Sequence, residues 1–140
     1  MYKLIMLILM LGTDSLPIET IQTVELSYQT RGMQKSLRIN RDSIIVTING
    51  KVTDYQTTNV QWQRILKTSL KVKLGTISSL KRPSTKSFHD GAMMAHLKIV
   101  TNLKEYNSVD FDHDMPPSKL GKLIGAMKYT LINTKNEEDF

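Results

Sequence analysis

Histidine and aspartate side chains are concentrated in one stretch of the C-terminal half of the chain. All three histidines lie there beside four aspartates: His89, Asp90, His96, Asp110, Asp112, His113 and Asp114. Neutral imidazole and carboxylate groups are ligands for zinc and other divalent metals, so His89, Asp112 and His113 are candidate metal ligands. Their spacing differs from known signatures such as H-E-x-x-H. Such residues also hydrogen-bond loop amides in turns, and this structural interpretation is favoured over a metal site.

Catalysis is a second interpretation of the same residues. Ser87 lies two residues before His89, but no G-x-S-x-G motif surrounds it, and neighbours in sequence rarely have triad geometry. Asp112 and Asp114 are close enough in sequence to flank a turn rather than a substrate cleft. The pattern therefore favours binding over catalysis, with no cofactor, and a small hydrolase remains an alternative. The binding residues expected in this region are His89, Asp90, Asp112 and His113.

A further candidate binding residue, Arg31, comes from a different part of the chain. It lies in the sequence T-R-G, where two predicted strands meet and Gly32 permits a positive φ. An arginine held in such a turn can bind a carboxylate through charge-assisted hydrogen bonds. We therefore expect Arg31 to form an ion pair that orders the His/Asp loop. Its possible partners are Asp90, Asp112 and Asp114.

Hydrophobic periodicity and turn signals predict the strands that position these residues. Apolar and polar residues alternate over 21–30, and β-branched residues fill 43–48, as is typical of strands. Asn49-Gly50 is a strong hairpin signal, because both residues accept a positive φ. The predicted strands are 21–30, 36–40, 43–48, 51–57, 95–100 and 106–111.

Two amphipathic helices complete the predicted fold. Trp62, Ile65 and Leu66 have helical spacing after N-cap candidates at 57–59, and Gly75 is the expected stop. A second helix begins near Ser118 and carries an apolar stripe over 120–131. The order of these elements predicts an α+β fold: an antiparallel sheet of about five or six strands with two helices packed on one face.

The composition is that of one small domain. The chain has 140 residues, no cysteine and a formal net charge of +6. The absence of cysteine excludes a disulfide framework, a thiolate metal site and a cysteine nucleophile. We assign residues 21–132 to a single α+β domain and residues 133–140 to a flexible acidic tail.

The first fifteen residues have the composition of a secretory signal peptide. Lys3 precedes the apolar run LIMLILML, small residues follow it, and the expected cleavage is after Ser15. A first core strand is the alternative interpretation of the same run. We therefore expect an exported protein, periplasmic or extracellular, with no transmembrane segment in its mature form.

Four segments together carry a resemblance to a known family. They are 27–32 (SYQTRG) with Lys35-Ser36, 62–66 (WQRIL), 87–92 (SFHDGA) and 111–114 (FDHD) with Pro116-Pro117 and 120–123. Over residues 21–128 the chain resembles a family of small exported proteins from Bacteroidota-type bacteria that has no assigned activity. The resemblance implies export and the strand–helix–hairpin–helix order, and it assigns no catalytic residue. Family members often carry a lipoprotein cysteine, whereas Thr13 stands at that position here.

A basic stretch begins within the first predicted helix. It contains Arg64, Lys67, Lys71, Lys73, Lys81, Arg82 and Lys86. Such a stretch attracts phosphates, anionic polysaccharides or lipid headgroups, although a solvated helix face is the simpler explanation. It lacks the interleaved aromatic residues that stack on bases, so no nucleic acid is expected. We predict an exported, non-enzymatic binding or accessory domain whose partner is a protein or an anionic envelope component. The alternatives are a divalent-metal-binding protein or small hydrolase, and a proteinaceous inhibitor-like module.

Overall fold

The computed structural model describes residues 15–140, so the predicted signal peptide at residues 1–15 lies outside the described residues except for Ser15. The described part of the chain forms seven strands and two α-helices. The strands are β1 (Ile21–Thr30), β2 (Met33–Asn40), β3 (Ser43–Ile48), β4 (Lys51–Gln56), β5 (Met94–Thr101), β6 (Glu105–Asn107) and β7 (Phe111–Asp112). The α-helices are α1 (Asn59–Ser69) and α2 (Gly121–Tyr129), and short 3₁₀ helices cover Leu74–Ser79, Lys86–His89, Ser118–Leu120 and Glu137–Asp139. Within residues 15–140, no helix combines the length and the apolar character needed to cross a membrane.

The strands form one antiparallel sheet in the order β4-β3-β2-β1-β5-β6, and β7 pairs with the same edge of β5 as β6. The first four strands are a meander, and the chain returns through α1 to place β5 beside β1. Tight turns make the meander possible, because Gly32, Asn49 and Gly50 all have positive φ. The α+β prediction is confirmed, with seven strands in place of five or six.

Alternate side chains of the central strands are buried. Leu26 lies opposite Leu37 on one side and Leu97 on the other, and all three are fully buried. Since side chains alternate along a strand, these leucines share one face of the sheet. The same hydrophobic cluster contains residues of both helices: Trp62, Ile65, Leu123, Ile124, Ala126 and Met127. The core is thus built from one face of the sheet and from α1 and α2.

Helix α1 begins after Thr58, one of the predicted N-cap candidates, and its cap is a capping box. The Thr58 hydroxyl accepts the Gln61 amide at 3.1 Å, and the Gln61 side chain accepts the Thr58 amide at 2.9 Å. The helix ends at Ser69, before the expected stop at Gly75. The hydroxyls of the last two residues donate to carbonyls one turn earlier, which weakens a helix, and the chain continues as a 3₁₀ helix after Lys73.

The predicted strand 106–111 is two separate strands. Lys98 lies opposite Asn107 in β6, whereas Met94 lies opposite Asp112 in β7, so the outer chain has one more residue than β5 over this interval. Ser108 fills the gap: its amide donates to the Leu97 carbonyl at 2.8 Å, and its hydroxyl accepts the Leu97 amide at 2.9 Å. The interruption turns the chain so that Asp112 meets the loop before β5.

The residues predicted to form a flexible acidic tail make defined contacts with the body of the domain. The Tyr55 hydroxyl donates to the Asn136 side chain at 2.5 Å, and the Lys35 ammonium donates to the Asp139 carbonyl at 3.1 Å. The Phe140 ring lies 5.2 Å from the Tyr28 ring. The acidic composition of this segment gives no indication of these contacts. Asn136 is buried and Phe140 is half-buried, and both attach the segment to the body of the domain.

Candidate functional site

The sequence-predicted site is organised around Asp112, a fully buried carboxylate at the end of β7. It accepts the backbone amides of Lys86 at 2.9 Å and Ser87 at 3.0 Å. The Arg82 guanidinium donates to the same carboxylate at 3.2 Å. Arg82 also donates to the Ser87 hydroxyl at 2.7 Å and stacks on the Phe88 ring at 4.2 Å. Asp112 therefore fixes the end of the basic stretch in the loop before β5.

The electrostatics of this network keep Asp112 ionised. Burial opposes ionisation, but hydrogen bonds from Ser87, Ser84 and the backbone outweigh it and hold the pKa of the carboxyl far below its usual range. A carboxylate that accepts several donors at once is a poor general base, because taking up a proton would break those bonds. Its contacts suit a structural anchor.

His113 and Asp114 join the same loop from the other side. The His113 Nδ1 accepts the Met93 amide at 3.1 Å, and its ring lies edge-on to Tyr28 at 5.5 Å. The Lys86 ammonium binds Asp114 at 2.7 Å, and this contact lowers the pKa of the Asp114 carboxyl. The structure thus brings Asp112 and His113 to the loop before β5, where their partners are Arg82, Lys86, Ser87 and Met93.

His89 and Asp90 do not form a metal site with Asp112 and His113. Both side chains are exposed, and Asp90 has a left-handed φ of +57° at the end of the 3₁₀ helix. The donors on Asp112 and the amide on the His113 Nδ1 occupy atoms that a metal would need. Among residues 15–140, no group of three histidine, cysteine or carboxylate side chains is placed to hold a metal ion.

The prediction that Arg31 forms an ion pair with an aspartate of the His/Asp loop is wrong. Arg31 is exposed in the β1–β2 turn, and Arg82 takes the position beside Asp112. Asp114 is bound by Lys86. The sequence gives Arg82 no distinguishing signal, because it lies within a run of basic residues and thirty positions from its partner.

A histidine–aspartate pair lies on the polar face of the sheet, opposite the hydrophobic core. The His96 Nδ1 lies 2.8 Å from Asp110, and its Nε2 lies 2.9 Å from the Asn107 side chain. Ser27 is the cross-strand neighbour of His96, but its hydroxyl donates to the His96 backbone carbonyl at 3.4 Å. Both imidazole nitrogens are engaged elsewhere, so this set lacks the serine–imidazole hydrogen bond of an activated nucleophile.

An apolar groove of about 710 Å³ opens at the other end of β1. Its walls come from α1 and from the segment that follows it, facing the first residues of β1 and the β2–β3 turn. The apolar lining residues are Ile21, Trp62, Leu66, Leu70, Val72 and Leu74. Leu70 is 85 % exposed, although it continues the apolar stripe of α1. The volume is in the range of small-molecule sites. Polar and charged residues line the groove beside the apolar ones: Glu19, Thr20, Gln22, Asn40, Arg41, Asp42 and Ser69.

Charged groups stand at the rim of this groove. Glu19 is already engaged: it accepts the Tyr106 hydroxyl at 2.5 Å and the Thr101 hydroxyl at 2.9 Å. These hydrogen bonds lower the pKa of the Glu19 carboxyl. Arg41 and Asp42 are exposed at the β2–β3 turn beside it. Periodicity assigns Trp62 and Leu66 to the core, and nothing in the sequence indicates a groove beside them.

No family model, no curated protein and no solved structure matches this chain. The family resemblance of the sequence therefore remains a prediction.

Proposed function

We propose that this protein is an exported, non-enzymatic binding domain that holds the apolar part of an envelope component in the groove beside α1. The observation that supports the proposal is the groove itself. Its volume is about 710 Å³, and its lining includes Leu70, a large apolar side chain that is 85 % exposed. Covering such a side chain releases water from its surface and stabilises a complex by about 1.5–3 kcal/mol.

The chemistry of the polar residues supports binding over catalysis. The Asp112 carboxylate is engaged by backbone amides and Arg82, and the His113 Nδ1 accepts a backbone amide. These groups hold a loop in place at the opposite end of β1 from the groove. A ligand in the groove would therefore lie away from the titratable cluster.

The groove offers an internal reporter, because Trp62 lines it and is the one tryptophan of the chain. We expect n-dodecyl maltoside, added below its micelle concentration, to change Trp62 emission saturably with one molecule per chain. Leu70→Asp should weaken this binding roughly tenfold or more, since an apolar contact worth about 2 kcal/mol is replaced by a charge. Because the Leu70 side chain is exposed, the substitution should leave the hydrophobic core intact.

The matched control is Val52→Asp, which places the same charge at a 61 % exposed apolar residue on β4, outside the groove. This variant should bind the detergent like the original chain. A flat titration, or equal affinity for the Leu70→Asp variant, would contradict the proposed function.

Export is tested separately by the mass of the protein recovered from a bacterial periplasm. Cleavage after Ser15 leaves Leu16 as the first residue, as the signal-peptide pattern predicts. A protein that keeps Met1 and stays in the cytoplasm would contradict export without affecting the groove experiment.

A further inference from the structure

A smaller cavity of about 220 Å³ adjoins the apolar groove. Three lysines line it: Lys71 and Lys73 from the segment after α1, and Lys119 from the 3₁₀ helix before α2. The remaining lining is Val72, Thr76, Ile77 and Leu80, so none of the lining residues carries a negative charge. A pocket lined by three lysines and no carboxylate favours an anion.

The lysines of this cavity are available to a ligand. All three are exposed, and within residues 15–140 the lysines in side-chain ion pairs are Lys86 and Lys98 instead. Lysine binds phosphate as a flexible point charge and suits a head group that keeps part of its hydration.

The two cavities meet at one residue. Val72 lines both the groove and the lysine pocket, and Lys71 and Lys73 flank it in sequence. Because Val72 borders both cavities, an amphiphile whose apolar chain lies in the groove has the flanking lysines within reach of its anionic end. The groove alone would accept any apolar chain, and the lysines add a requirement for charge.

We infer that the ligand is a single-chain amphiphile with a phosphate head group, its chain in the groove and its phosphate among Lys71, Lys73 and Lys119. This inference rests on the proposed function, and it names the ligand class for the same site. In this inference the bound phosphate is the head group of the amphiphile. The competing explanation is that the lysine pocket binds free inorganic phosphate.

The test compares dodecyl phosphate with dodecyl maltoside, which share a chain and differ in charge, by calorimetry and Trp62 emission. Dodecyl phosphate should bind roughly tenfold tighter at low salt, because three exposed ion pairs each contribute a factor of about two to five and are not fully additive. The preference should fall as salt is added. The triple variant Lys71→Gln/Lys73→Gln/Lys119→Gln should bind both detergents with similar affinity.

A matched triple variant, Lys51→Gln/Lys67→Gln/Lys135→Gln, removes the same charge from exposed positions outside both cavities. It should keep the preference for dodecyl phosphate. If neither detergent binds, the proposed function fails. If both bind equally to the original chain, the phosphate inference fails and the groove stands. Inorganic phosphate that binds as tightly as dodecyl phosphate would also overturn the inference, because the pocket would then be a site for the free ion.

Discussion

Replacing Asp112 by alanine should remove a large part of the stability of the domain. The change leaves the amides of Lys86 and Ser87 and the guanidinium of Arg82 without their acceptor. Breaking a buried charged pair costs about 3–5 kcal/mol, and each unpaired buried amide costs about 1–3 kcal/mol. Arg82 is 15 % exposed and the loop can admit water, so the lower part of this range applies. We expect a loss of about 3–4 kcal/mol, against a total of about 5–15 kcal/mol for a typical domain.

Urea unfolding followed by Trp62 emission measures this loss as a shift in midpoint. Asp112→Asn should cost less, about 2 kcal/mol, because one side-chain oxygen still accepts while the new amide group faces other donors. Asp114→Ala is the matched control, since both partners of the Lys86–Asp114 pair are nearly half exposed. Such a pair is worth at most about 1 kcal/mol. A loss below about 1 kcal/mol for Asp112→Ala would refute the anchoring role argued from burial.

The ionised Asp112 carboxylate also predicts how the stability of the domain depends on pH. The pKa of Asp112 is lower in the folded protein than in the unfolded chain. Its contribution to stability is therefore complete above the unfolded value of about 4 and is lost as pH falls below it. The difference in unfolding free energy between the original protein and Asp112→Ala should be constant from neutral pH to about pH 5 and shrink on further acidification. A difference that is unchanged at pH 3 would contradict the assignment.

Three further substitutions test separate parts of the fold by the same unfolding assay. Thr58→Ala removes the capping box of α1 and should cost about 1 kcal/mol, and an unchanged midpoint would argue against the cap. Tyr28→Phe deletes a buried hydroxyl that has no hydrogen-bond partner among residues 15–140, so stability should stay the same or rise by about 1 kcal/mol. A clear loss would mean that the hydroxyl has a partner. Phe140→Ala should cost about 1–2 kcal/mol through the lost contact with Tyr28, and no loss would mean that the C-terminal segment is not anchored.

Much of the fold follows from local signals in the sequence. Alternation predicts β1, the Asn49-Gly50 turn predicts the β3–β4 hairpin, and Thr58 predicts the start of α1. Each of these signals acts within a few residues, since backbone preference and side-chain caps are short-range effects.

The parts that the sequence does not predict depend on contacts between distant segments. The split of the last hairpin strand depends on how Ser108 fits against Leu97. Arg82 rather than Arg31 binds Asp112 because its loop reaches β7. Charge alone does not distinguish the two arginines in the sequence. The groove is the space left between α1 and the end of the sheet, and a space between elements has no periodic pattern in the sequence.

The most direct test of the account is an amide NMR titration of the isotope-labelled protein with dodecyl phosphate. We predict saturable shifts for the amides that border the two cavities, including Ile21, Asp42, Leu70 and Val72, with Gly50 and His89 unchanged. Shifts centred on His89, or shifts spread evenly over the chain, would contradict the claim that the groove beside α1 is the binding site.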